Sequence, residues 1–253
     1  MKDVQKQIDT RGVYLDQVGI KDFVFPIEIR NRNGEWISTA ATMSLFVGLS
    51  EEQKGTHMSR FVEVVNSRRR IDLNEMKEIL LEMCDRLEAK NSFINLDFDY
   101  FIEKKSPVTH IPSMINVKVE YSASLIDGDF EFDMKVVTPV TTLCPCSKEI
   151  SDYSAHNQRA DVSIKVRRKK FIWIEELVEI AESAASSPVY SLLKRPDEKF
   201  VTEYAYDNPR FVEDVAREVK LRVDKLEDIR GFCIEVESME SIHNHSAYAC
   251  VRG

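Results

Sequence analysis

Long apolar runs are missing from this chain. None approaches the roughly 20 residues that a helix needs to cross a bilayer. The opening stretch, Met1 to Arg11, is polar and has no signal-peptide core, so a cytoplasmic protein is expected. Glycine and proline are scarce, at 8 each in 253 residues, which excludes a collagenous or low-complexity chain. No Gly-rich phosphate loop, GxGxxG or GxSxG is present, leaving the common nucleotide-binding folds without support. Positive charge is in deficit, 35 basic against 43 acidic side chains for a net −8, which argues against general nucleic-acid binding. A local basic cluster can still hold an anionic small molecule. Cysteine is sparse and odd in number, at five, so a disulfide framework is not expected. The thiols are core residues, metal ligands or nucleophiles.

What is present is a pattern of long strands and a few helices. Val24 to Arg30 and Ile37 to Leu49 read as strands joined at Asn33-Gly34. Ser50 to Arg70 reads as polar and irregular. A helix starts at Asp72, with Glu75 three positions on, and carries an apolar stripe from Leu73 to Leu87 that includes Cys84 as a core residue. Phe93 to Ile102 is a strand. Val117 to Leu125 and Phe130 to Val136 alternate around Asp127-Gly128 and form the strongest hairpin signal. Ala160 to Val166 alternates again, and Ile174 to Ala185 turns helical. A further helix is expected near Asn208 with Pro209 at its first position. Phe232 to Val236 is a last strand that continues after an interruption near Ser241 to His245. The fold class is therefore α+β, antiparallel sheets with helices on one face, and the element order repeats near residue 130.

The chemistry-bearing residues cluster late in the chain. In Cys144-Pro145-Cys146, an extended backbone puts residues two apart on one side, and Pro145 favours that conformation at Cys144. Both sulfurs then face one pocket, where His156 can close on the same ion. The alternative is two buried cysteines and a surface histidine. His243 and His245 have the same spacing; paired imidazoles serve as ligands or as acids and bases, or else sit in a solvated loop. Glu198, Glu203 and Glu213 are carboxylates of the same half, and Glu213 also suits a helix N-terminus. The runs Arg68-Arg69-Arg70 and Arg167-Arg168-Lys169-Lys170 read as solvated faces. The polar loop from Lys54 to Arg60 is a candidate for phosphate contact.

Pro139 to Arg159, Gly55 to Arg60, Arg195 to Lys199 and Glu240 to His245 together resemble type IB GTP cyclohydrolase I over nearly the whole chain. The resemblance implies the tunnelling fold, with one unit over residues 1–130 and a second over 131–253 that holds most of the site. It implies conversion of GTP and water to 7,8-dihydroneopterin triphosphate and formate, the first step of tetrahydrofolate synthesis and a supply for queuosine. It implies a homotetramer with active sites at subunit interfaces and a divalent cofactor, zinc, manganese or iron. By the same resemblance Cys144, His156 and Glu198 are metal ligands, with Glu203 the neighbouring alternative. Cys146, His243 and His245 are then catalytic, Glu213 anchors guanine, and Arg60 and Lys148 hold the triphosphate. The rival expectations are an archaeal-type relative yielding a cyclic phosphate, a nitrile reductase of the same fold, and a non-catalytic metal- or purine-binding protein.

Overall fold

A computed structural model describes residues 5, 7–168 and 171–253. Most of the opening segment up to residue 6, and Lys169 and Lys170 of the second basic run, lie outside them. The chain divides into two compact units, Met1–Asp99 with Glu120–Met134, and Tyr100–Val119 with Lys135–Gly253. Strands β4 (Ser92–Lys105), β5 (Pro112–Ile126) and β6 (Asp129–Leu143) each contribute residues to both.

In the first unit, β1 (Leu15–Arg30) and β2 (Trp36–Leu49) form an antiparallel hairpin with Phe25 opposite Ala41 and Ile29 opposite Ile37. The turn is closed by Asn31, whose side-chain oxygen accepts from the Glu35 backbone at 2.8 Å, and Gly34 takes the positive φ of 87° that the turn needs. Gly19 is required for a different reason: a Cβ there would stand 1.9 Å from the Leu45 carbonyl oxygen. Strand β2 pairs antiparallel with β4, and the short β3 (Arg70–Ile71) runs parallel to β1. Ala41, Met43, Leu45 and Val47 alternate into the core, the period-2 pattern of a one-sided sheet.

Helix α2 (Leu73–Leu87) begins as its sequence predicts: the Asp72 carboxylate caps the Glu75 N–H at 2.8 Å. Met76, Ile79, Leu80, Met83 and Leu87 are buried beneath it. Cys84 is only half-buried on that stripe, and its thiol donates to Ser92. The expected irregular stretch from Ser50 to Arg70 instead contains α1 (Met58–Asn66), which buries Phe61, Val64 and Val65. The first basic run is not a simple solvated face. Arg68 pairs with both Glu75 and Glu82, and Arg70 donates to Glu28 while lying 5.0 Å over the Trp36 ring.

In the second unit, β7 (Asn157–Arg168) and β10 (Ala247–Arg252) flank β9 (Ile229–Ser238), both antiparallel, with Val162 opposite Val236. A short β8 (Ser187–Pro188) pairs with β6. Helices α4 (Ile174–Ala184) and α6 (Val212–Val223) pack together, and α6 covers β9 and β10. The α6 start lies three residues past Pro209; the Asp214 carboxylate accepts from the Phe211 N–H at 3.1 Å and sets it. Helix α5 (Arg195–Asp207), not anticipated as an element, starts on Asp197, which is wholly buried. Its carboxylate accepts from the Val108, Thr109 and Lys194 N–H groups and from the Thr109 hydroxyl. Burial alone would raise its pKa, but these bonds hold the carboxyl well below the usual range. Among the described residues no helix is long and apolar enough to cross a membrane.

Candidate active site

The candidate site is built where β6 ends. Cys144 is extended, φ −69° and ψ 116°, as a residue before proline should be, and Pro145 opens the short helix α3 (Pro145–Ile150). The Cys144 sulfur accepts from the Ser147 N–H at 3.4 Å. The Cys144 N–H donates to the His156 carbonyl at 3.1 Å, and the His156 N–H donates to the Ser147 hydroxyl at 3.2 Å. The cysteine and the histidine are thus fastened across one short connection.

His156 is oriented by a chain of hydrogen bonds. Its Nδ1 lies 2.9 Å from the Gln158 side-chain oxygen. The Gln158 amide nitrogen donates to the Thr142 hydroxyl at 3.1 Å and to Glu240 at 3.4 Å. A carboxylate accepts only, so the glutamine nitrogen must face Glu240 and its oxygen must face the imidazole. Nδ1 of His156 therefore carries the proton, and Nε2 keeps its lone pair for a metal or a proton.

Cys144 and His156 line a cleft of about 330 Å³ together with Glu213, Glu240, His243 and His245. Its size lies at the lower end of small-molecule sites. Glu213 comes from the first turn of α6, and the two histidines from the loop between β9 and β10. Their rings stack with centroids 5.0 Å apart at 15°. The Glu240 carboxylate is 3.9 Å from His156 Nδ1.

The comparisons with known proteins converge. A family model described as "Type I GTP cyclohydrolase folE2" matches residues 1–249. The chain is 51% identical to the GTP cyclohydrolase FolE2 of Pseudothermotoga lettingae, covering 99% of this chain and 98% of that protein. It is 53% identical to that of Thermotoga maritima, covering 99% and 96%. The chain belongs to the type I GTP cyclohydrolase FolE2 family. It is thus a GTP cyclohydrolase of folate biosynthesis, a hydrolase acting on C–N bonds of a cyclic amidine. Among solved structures, uricase from Arthrobacter globiformis matches with a TM-score of 0.54 at 7% identity, over 94% of this chain and 92% of that one. A urate oxidase variant from Bacillus sp. TB-90 matches at 0.57 and 8%, over 94% and 98%. At such identity the likeness shows the fold alone, which is the tunnelling fold.

Five of the expected site residues do not line this cleft. Cys146 is exposed in the first turn of α3 and does not line the cleft. Pro145 turns the chain helical, so residues two apart diverge instead of sharing a side. Lys148 donates to the Tyr206 carbonyl at 2.5 Å and lies 4.1 Å over the Tyr206 ring. Glu198 is exposed on α5, and Glu203 lines a neighbouring hollow with Tyr206 and pairs with Lys199 at 3.6 Å. Arg60 belongs to the first unit, where it donates to the Arg86 carbonyl at 2.6 Å.

Gln158, Arg210 and Glu240 are among the cleft residues that carried no assignment in the sequence reading. Gln158 and Glu240 stand inside the quoted segments, two residues after His156 and three before His243. Arg210 Nε is buried with no hydrogen-bond partner among the described residues, a donor left for a ligand. The donor chemistry of the cleft, thiol, imidazole and carboxylate, suits a borderline divalent ion. Among the described residues, however, the set whose donor atoms already lie within 4.8 Å of one another is a different one, Cys233, Glu235 and Cys250.

Proposed function

We propose that the cleft at the end of β6 is where GTP and water become 7,8-dihydroneopterin triphosphate and formate, with Cys144 and His156 holding a divalent ion, zinc, manganese or iron, and with Glu198, which does not line the cleft of a single chain, as the carboxylate ligand that the resemblance implies. The observation that supports this most is that residues from four separate chain stretches, Cys144, His156, Glu213 and the His243–His245 pair, line one cleft. Glu240 is a second reading for the carboxylate ligand, favoured by its place in the lining of the same cleft as Cys144 and His156. When bound, such an ion supplies Lewis acidity and lowers the pKa of water toward about 7.

The chain's own residues do the rest. Glu213 accepts two hydrogen bonds from the guanine ring N–H and exocyclic amine, which orients the base and disfavours adenine. The buried Arg210 Nε is a donor for a substrate oxygen. Opening the imidazole ring breaks two C–N bonds and releases carbon 8 as formate, which calls for several proton transfers. The stacked His243 and His245 offer a donor and an acceptor side by side for these. Cys146 is the second thiol, and Lys148 and Arg60 hold phosphate. The wider reading is two tandem tunnelling-fold units, over 1–130 and 131–253, in a cytoplasmic homotetramer with interface active sites, supplying tetrahydrofolate and queuosine synthesis.

The test is formate release from GTP by metal-stripped protein, with zinc, manganese or iron(II) added back separately and the pterin weighed by mass spectrometry. Formate with a triphosphate product is expected. A cyclic phosphate product moves the chain to the archaeal-type reaction. GTP binding without formate under every metal leaves a non-catalytic protein.

A further inference from the structure

The β9–β10 hairpin carries a second cluster that the cyclohydrolase cleft does not use. In its register Cys250 lies opposite Glu235, and Arg252 opposite Cys233. Residues two apart share a face, so Cys233, Glu235, Tyr248, Cys250 and Arg252 all stand on one side of the hairpin. The other side, with Ile234 and Val236, is core. One ligand atom from each of Cys233, Glu235 and Cys250 lies within 4.8 Å of the other two. A tetrahedral ion with bonds of about 2.3 Å to sulfur needs the sulfurs about 3.8 Å apart. Small side-chain rotations on an unstrained hairpin close that gap.

We propose that Cys233, Glu235 and Cys250 form a second metal site, for a thiophilic divalent ion of the zinc class, with three protein ligands and a fourth position open to solvent. Two thiolates and a carboxylate are a soft-to-borderline set, which disfavours magnesium and calcium. The surroundings fit a ligand shell. The Tyr248 hydroxyl donates to one Glu235 oxygen at 2.6 Å, fixing the carboxylate and leaving its other oxygen for the ion. Arg252 stands opposite Cys233 in the register and two residues from Cys250 on the same face, where its charge offsets the negative charge gathered there. Lys165 lies opposite Cys233 on the β7 side. Tyr248 also lines the catalytic cleft, so this ion would sit one side chain away from the reaction site without belonging to it.

The probe is cadmium alone, added to the reduced, metal-stripped full chain carrying Cys144→Ser, which silences the cleft thiol. One equivalent with a thiolate-to-cadmium ultraviolet band is expected. Cys233→Ser and Cys250→Ser, each on that background, should abolish the band, and Glu235→Gln should weaken binding at least tenfold. A band that survives both serine variants, or none on the Cys144→Ser background, overturns the site. The chain with only its natural residues gives an independent reading: cadmium should protect Cys233 and Cys250 from alkylation while Cys146 still reacts. Equal labelling with and without cadmium, or a Cys233–Cys250 disulfide that cadmium fails to prevent, also overturns it.

Discussion

His156 Nδ1 donates to the Gln158 side-chain oxygen at 2.9 Å, and that contact decides which imidazole nitrogen is free. The glutamine cannot flip without setting its oxygen against the Glu240 carboxylate, 3.4 Å from its nitrogen. Thr142, held to Ser238 at 3.1 Å, fixes the glutamine from the far side. A buried hydroxyl pair from β6 and β9 thereby helps to orient a proposed metal ligand.

Gln158→Leu should keep the fold and lose that orientation. Losses of about 10- to 100-fold in metal affinity or activity are usual when such an outer partner is removed. Formate release titrated with manganese or zinc should therefore shift to higher metal concentration and recover only in part. A titration that superimposes on the unsubstituted chain would show that His156 needs no such support.

Glu213 stands in the first turn of α6, exposed at the rim of the cleft. If it reads the guanine N–H and amine, Glu213→Gln weakens two charge-assisted bonds at about 1.5–3 kcal/mol each. The expected fall in kcat/KM for GTP is about hundredfold. ITP lacks the exocyclic amine, so the preference for GTP over ITP should narrow in the variant. Reduced activity with an unchanged preference would leave Glu213 a helix-terminus acid and nothing more.

Strands and α2 were legible because their apolar residues repeat at the period of the element and their ends carry turn or cap signals. Asp127-Gly128 shows this, with φ of 49° and 89° between β5 and β6. Helix α5 was not legible because only Asp197 and Ala205 of it are buried, so no apolar stripe marks it. Helix α1 has such a stripe, but His57 offers no side-chain cap and the flanks are polar, which hid it. In the site, Cys144, His156, Glu213 and the histidine pair could be named from motif resemblance. Spacing alone sets the Cys146 sulfur on the same side as Cys144, whereas Pro145 favours an extended residue before it and a helix after it, so Cys146 does not line the cleft. Gln158 and Glu240 meet His156 through contacts that close only in three dimensions, and the Arg210 Nε stands out only as a buried donor with no partner among the described residues.

Asp197 gives the second unit an acid-sensitive point. Its folded pKa lies below the unfolded value of about 3.9. The sign follows: the carboxylate stabilises the fold above that pH, and the contribution is lost as pH falls toward the folded value. Asp197→Asn should lower the thermal midpoint at neutral pH, because the amide accepts fewer of the four bonds. It should also flatten the decline of stability between about pH 5 and pH 2. Parallel acid profiles for the two proteins would remove Asp197 as the cause.

The Lys104–Glu182 pair tests whether polar burial in this unit specifies or merely tolerates. Both side chains are 16% exposed. Lys104 also donates to the Val189 carbonyl at 3.0 Å and lies 4.2 Å over the Tyr190 ring. Burial pushes the lysine pKa down and the glutamate pKa up, so desolvation outweighs mutual attraction on each side. Lys104→Met alone leaves a carboxylate without its counter-charge and should cost about 3 kcal/mol in urea unfolding. Lys104→Met with Glu182→Leu removes both charges and should recover most of that loss. Should the double variant remain as unstable as the single, the pair contributes more than its desolvation costs, and the contacts to Val189 and Tyr190 are the reason.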